Sequence, residues 1–339
     1  MEAALYDPQL GFYETGGAAG RRGDFITSPE VGPLFGAVLA RAVETWWHEL
    51  GSPQPFTVVE AGAGRGTLRA AVTAACRAPL RYVEVERSAS LRSEGAVGKL
   101  PFEPFVGVVL ANELLDNLPF GLLERTGEGW AEVRVDERLT EVLVPGATDP
   151  GVDAAVGARV PVQRAARAWV EAALGVVEAG RVVVVDYADT TASMAARPWT
   201  DWVRTYRGHG RGAHPLADIG RQDVTCEVAV DQLPPPTANR SQAEFLRGHG
   251  VDDLAAAARR EWQDRAHIGD LQALAARSRA NEAAALTDPA GLGAFRVLEW
   301  VQGRAYPITA WDGEGMIVWG GLVVVSSPAS ASDGVRYRP

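Results

Sequence analysis

The chain has 339 residues and a formal net charge of −10, with 47% hydrophobic and 22% charged residues. That apolar fraction can bury a substantial core, and the net negative charge argues against a nucleic-acid binder that works through a broad basic surface. Only two cysteines occur, Cys76 and Cys226, far apart and without a CxxC spacing, so neither a disulfide framework nor a thiolate zinc site is expected.

The first residues show no basic region followed by an apolar one, and no apolar run reaches about 18 residues. We therefore expect a cytoplasmic chain with no membrane insertion. Residues 1–30 are rich in glycine and turn formers. Over 33–50 the apolar residues Leu34, Phe35, Val38, Leu39, Ala42, Val43 and Trp46 recur at three-to-four spacing, which predicts a helix. Short apolar runs at 56–60, 80–85 and 106–110 predict strands, with a helix over 68–77. A Gly-Glu-Gly turn between 120–125 and 130–135 predicts a hairpin. An amphipathic helix is expected over 162–177, capped by Gly180, and then the most apolar strand of all, 181–186. Residues 190–240 read as loops and 241–285 as helices. Runs at 295–300 and 316–325 read as late strands forming an antiparallel pair that closes the sheet, before a frayed tail.

This alternation of apolar strands and helices predicts an α/β fold around a parallel sheet covered on both faces. The expected layout is an N-terminal loop and helix (1–50), a core (51–189), a loop-rich and helical insertion (190–290), and late strands with the tail (291–339).

The strongest local feature is Val58-Val59-Glu60-Ala61-Gly62-Ala63-Gly64-Arg65-Gly66-Thr67-Leu68. A buried strand runs into an acid, then three alternating glycines, then a helix. Gly62, Gly64 and Gly66 allow a tight turn whose backbone a ligand can touch. The spacing differs from the GxGxxG of dinucleotide sites, and Glu60 would repel a pyrophosphate. Glu60 suits instead the cationic amino-acid end of S-adenosylmethionine (SAM). Glu86 ends the next strand about twenty residues on, where an acid can accept both ribose hydroxyls; Glu84 is a weaker candidate.

The third strand runs into Asn112-Glu113-Leu114-Leu115-Asp116-Asn117-Leu118-Pro119. Ligands of such sheets bind beyond the carboxyl ends of the strands, which places Asn112, Glu113 and Asp116 beside the transferred methyl group. Glu113 and Asp116, three apart, could hold a guanidinium in a forked hydrogen bond. Alternatively Asn112 caps a helix and the acids fill its first turn. Gly23-Asp24-Phe25-Ile26-Thr27-Ser28-Pro29-Glu30 suggests an ordered loop, in which Asp24 either contacts a ligand or serves a cap. His209, His214 and Asp218 lack the spacing of a helical metal site and read as solvated loop residues, so no metal is expected.

These stretches resemble the MidA-like family of SAM-dependent methyltransferases, relatives of a mitochondrial arginine methyltransferase that assists respiratory complex I assembly. The resemblance also rests on Tyr6-Asp7-Pro8 with Gly11-Phe12-Tyr13, on Val185-Asp186-Tyr187, on Gln222-Asp223-Val224-Thr225 and on Ser241-Gln242-Ala243-Glu244-Phe245-Leu246. It covers almost the whole chain in order. Ala188 and Ser28 depart from the commoner Gly and Ala. The resemblance implies a Rossmann-like class I methyltransferase sheet with a mostly helical additional subdomain. It implies SAM binding by the glycine loop, Glu86 and the 112–116 stretch, and suggests a protein arginine as acceptor. Competing readings are a small-molecule O- or N-methyltransferase and a non-catalytic assembly factor on a SAM fold. The acceptor and the oligomeric state, monomer or homodimer, stay open.

Overall fold

The computed structural model describes residues 1–17, 27–101, 103–208, 210–303, 316–319 and 322–325. Helices α1 (Glu2–Tyr6), α2 (Ser28–Val31) and α3 (Pro33–Glu49) precede strand β1 (Phe56–Ala61), helix α4 (Thr67–Ala75) and strands β2 (Leu80–Val85) and β3 (Phe105–Asn112). Strands β4 (Gly121–Thr126), β5 (Gly129–Val135), β6 (Glu141–Ala147) and β7 (Arg159–Val162) form an antiparallel sheet in the order β6-β5-β4-β7. Helix α5 (Arg164–Val176) leads straight into β8 (Val177–Asp186). Short pieces follow: β9 (Ala188–Asp189), α6 (Thr191–Ala195), β10 (Val203–Arg207), β11 (Gly210–Arg211), β12 (Asp223–Cys226) and β13 (Val228–Ala229). The chain then makes β14 (Ala238–Ser241), α7 (Gln242–Gly248), α8 (Val251–Arg265), α9 (Leu271–Leu286) and β15 (Arg296–Gln302).

The central sheet has the order β14-β15-β8-β3-β1-β2. The four strands β8, β3, β1 and β2 are parallel, and β15 runs antiparallel between β8 and β14. Every residue of β1 is buried, as a strand covered on both faces requires. Val58, Leu110 and Val183 belong to the core formed with α3 and α7–α9, through Phe35, Val38, Trp46, Phe245 and Leu286. Their neighbours Val59, Val109 and Val184 belong to the core formed with α5, through Ala166, Val170 and Ala173. The period-two alternation of side chains feeds the two cores.

Ser241 and Glu244 form a reciprocal capping box that starts α7. The next residue, Gln242, is wholly buried. It accepts a hydrogen bond from the Ser28 hydroxyl at 2.9 Å and donates to the Leu286 carbonyl at 3.0 Å. One side chain thus ties α2 to the end of α9.

Three expectations are corrected. Gly180 is no helix cap: β8 begins at Val177, and Gly180 lies within it, paired with Gly107 of β3. Its φ is +140°, and a Cβ there would fall 1.7 Å from the Gly107 carbonyl oxygen, so the two strands approach too closely for any side chain. Residues 190–240 are not plain loop. β10, β11 and β12 form a small antiparallel sheet, and β14 is an edge strand of the main sheet. The late strands do not pair with each other: β15 lies between β8 and β14, whereas β16 (Met316–Trp319) pairs with β17 (Leu322–Val325). The expected hairpin is present as β4 and β5. The expected tail lies outside the described residues. Among the described residues no helix is long and apolar enough to cross a membrane.

Candidate active site

The carboxyl ends of β1, β2 and β3 open on a cavity of about 790 Å³, within the roughly 300–1,000 Å³ usual for small-molecule sites. Trp169, Leu100, Pro101, Leu114 and Leu118 supply much of its apolar wall.

The glycine loop makes the floor. Gly62, Gly64 and Gly66 have φ of +71°, +54° and +77°, the left-handed region that glycine enters without penalty. The amides of Gly62 and Ala63 both donate to the Val85 carbonyl, at 2.9 and 3.1 Å, which fixes the loop to the end of β2. Glu86 follows directly and lines the cavity. One of its oxygens accepts from the Gly64 amide at 2.9 Å and the other from the Ser88 amide at 2.8 Å. Glu84 is engaged elsewhere, by Arg69 at 2.8 Å and Ser93 at 2.9 Å. Glu60 is 5% exposed and accepts from the Tyr82 hydroxyl at 2.8 Å. Burial pushes its carboxyl up to about 8, against the opposing hydrogen bond from Tyr82.

The acceptor side is built by the turn after β3. Asn112 and Glu113 line the cavity. Glu113 has φ +51°, a strained value for a side-chain-bearing residue. It is held there because its amide donates to the Val185 carbonyl at 2.8 Å. Its carboxyl accepts from Asn112 Nδ2 at 3.0 Å and the Ser28 amide at 3.4 Å. Burial and then the neighbouring Asp116 push the Glu113 carboxyl up to about 8. Asn112 does not cap a helix; only the short turn Leu115–Asn117 follows.

Asp116 is 3% exposed and lies behind Glu113, off the cavity wall. Its Oδ1 is buried and has no hydrogen-bond partner among the described residues. Burial, then the charges of Asp186 and Asp223, hold its carboxyl well above the usual range. Asp186, at the end of β8, is wholly buried. It accepts from the Leu115 and Asp116 amides at 2.9 and 3.3 Å, so the turn rests on this carboxylate. Burial, then Glu113, pushes Asp186 up to about 8. The side-chain charges of Glu113, Asp116, Asp186 and Asp223 therefore meet at one end of the sheet.

Tyr6 and Tyr13 stack with ring centroids 5.6 Å apart and form part of the cavity wall. The sequence reading did not select Tyr6, Tyr13, Asn117, Asp186 or Asp223 as site residues. Their only signal was membership of the stretches that carry the family resemblance. Asp24 lies outside the described residues, as does His209. Its loop neighbours Thr27, Pro29 and Glu30 line the cavity. His214 packs edge-on against Trp199, and Asp218 pairs with Arg207 at 3.2 Å. Among the described residues no group of three or more metal-ligating side chains could hold a metal ion.

Residues 38–246, more than half of the chain, match the sequence model of a family described as S-adenosyl-L-methionine-dependent methyltransferases. The chain belongs to that methyltransferase family. The crystal structure of a COG1565 superfamily member from Burkholderia thailandensis, bound to S-adenosyl-homocysteine, superposes with a TM-score of 0.75 at 28% identity, covering 90% of this chain and 87% of that one. Among curated proteins, the mitochondrial protein arginine methyltransferase NDUFAF7 of Rattus norvegicus is 28% identical over 315 residues, 74% of this chain and 70% of its own length. Its Drosophila melanogaster homolog is 47% identical over 68 residues, which span 16% of the fly protein. The methyltransferase fold and the SAM dependence expected from the sequence are borne out. The cavity suits that cofactor: its floor is the glycine loop, Glu86 faces it, and Asn112 Oδ1 is buried at its edge without a hydrogen-bond partner among the described residues.

Proposed function

We propose that this methyltransferase modifies a guanidinium nitrogen of a protein arginine. The observation that carries the reading is the group of carboxyls formed by half-buried Glu113 and buried Asp116 and Asp186, none of which makes an ion pair among the described residues. Buried carboxylates without a counter-charge are costly and take up protons instead. A cationic acceptor supplies the missing charge, and a planar guanidinium matches carboxylate geometry in a way a lysine ammonium does not. The names of the rat and fly relatives support the same acceptor class.

When bound, SAM supplies a methyl group already activated on a sulfonium, so the protein's task is mainly positioning. In this reading Glu86 accepts the ribose hydroxyls, and the 62–66 loop with Glu60, which also lines the cavity, holds the amino-acid end. Glu113, on the cavity wall, orients the acceptor and takes the proton that its nitrogen loses. Asp116 acts from behind through its charge on Glu113.

Incubation with tritiated-methyl SAM and a cell lysate, followed by acid hydrolysis of the labelled protein, tests this. Labelled methylarginine is the expected product. Label confined to another amino acid, or to a small molecule, would replace the arginine reading while leaving the methyltransferase intact.

A further inference from the structure

Two stretches stand out in the sequence and are not explained by cofactor binding: Tyr6–Tyr13 near the start and Gln222–Thr225 far along the chain. The structure joins them at the acceptor side. The Tyr13 hydroxyl is hydrogen-bonded to Asp223 Oδ1 at 3.0 Å and to Asn117 Oδ1 at 3.1 Å. Asn117 Nδ2 donates to the same Asp223 Oδ1 at 3.1 Å and to the Val224 carbonyl at 3.2 Å. The Val224 amide adds a third donor to that oxygen at 2.9 Å. Tyr13, Asn117 and Asp223 are 8%, 7% and 1% exposed. Three donors on one buried carboxylate oxygen fix its position.

Tyr13 and Asn117 form part of the cavity wall, and Asp223 stands behind them. Its charge acts on both Glu113 and Asp116. The other groups facing this cluster are Asp186 at the end of β8, Tyr187 after it, Cys226 of β12, and Tyr6 and Tyr13 from the N-terminal segment. Of these, among the described residues, Asp186 already serves the Leu115 and Asp116 amides.

We propose that Asp223, clamped by Tyr13 and Asn117, is a positioning residue for methyl transfer: it sets the negative field of the acceptor side and so makes the site select a cationic nitrogen. The N-terminal segment is then a working wall of the site, because Tyr13 holds the carboxylate in register. The inference rests on the reading of Glu113 as the group that meets the acceptor, but its test needs no acceptor.

The test is a carbon-13 NMR titration of the full-length protein labelled at its aspartate and glutamate carboxyls, with the Glu113 resonance assigned by its loss in Glu113→Gln. Asp223→Asn removes a like charge that acts on Glu113, so the Glu113 midpoint should move down. Tyr13→Phe keeps the ring packing but takes one donor from Asp223, which disfavours its ionised form, so the Glu113 midpoint should move down as well, by less than in Asp223→Asn. Near-UV circular dichroism checks that each variant is folded. A downward shift in both folded variants, larger in Asp223→Asn, supports the proposal. A Glu113 midpoint that stays in place in both folded variants overturns it. The arginine reading fails separately, through the identity of the labelled product.

Discussion

Glu113 combines three properties that seldom meet in one side chain. Its backbone is in a strained left-handed conformation, its carboxyl lines the cavity, and its proton affinity is raised to about 8. Strain of this kind persists only where the surroundings impose it. Here the Val185 carbonyl captures the amide, and Asn112 and Ser28 hold the carboxyl. A group that takes a proton during transfer works best with a pKa near the operating pH. Two consequences follow for activity. Glu113→Gln keeps the shape and most hydrogen bonds but cannot accept a proton, so turnover should fall by about 10²–10⁴-fold. Calorimetric affinity for SAM should stay within a few-fold of the wild type. The wild-type kcat/KM, which reports the free enzyme, should rise about tenfold per pH unit below 8 and level off above it, because only the ionised carboxyl accepts the proton. Turnover that survives in Glu113→Gln, measured by transfer of labelled methyl, would remove Glu113 from this role.

At the scale of elements, the site depends on how closely the parallel strands pack. Gly107 and Gly180 face each other across β3 and β8, and a Cβ on Gly180 would overlap a backbone oxygen. A backbone atom cannot swing aside as a side chain can. Gly180→Ala should therefore cost about 1–3 kcal/mol, read as a lower urea midpoint. SAM affinity of the folded fraction should change little, since Gly180 lies at the opposite end of β8 from Asp186. An unchanged midpoint would show that the two strands can separate at no cost. The same strand shows where sequence reasoning stops. Periodicity and turn chemistry are local, so the strand–glycine–helix unit at 56–75, the acid at Glu86 and the 112–117 turn were all legible. A glycine just past a helical pattern reads as a cap, and only the partner strand reveals that Gly180 is there for close approach. Likewise Asp223 reaches Tyr13 across 210 positions, a separation over which no spacing rule operates. Residues 190–240 read as loop because their strands are two to five residues long, too short for alternation to register.

For the whole molecule, the buried carboxyls tie folding to protons. Glu60, Glu113 and Asp186 are each pushed up to about 8 in the folded chain, chiefly by burial. In the unfolded chain they would titrate near about 4. Between those values the folded state binds more protons than the unfolded one, so stability declines as pH rises. The stabilisation these groups provide is fully present below about pH 4 and is lost as pH climbs through about 8. This is opposite in sign to an ordinary salt-bridged carboxylate, which stabilises as pH rises. Scanning calorimetry of the ligand-free protein should therefore show the melting temperature falling between about pH 5.5 and 8.5. Glu113→Gln, which is neutral throughout, should make that fall shallower. A melting temperature that rises over this interval would mean that the carboxyls are already ionised and paired. The case for a cationic acceptor would weaken with it, because a site whose charges are already balanced gains little from binding another positive group.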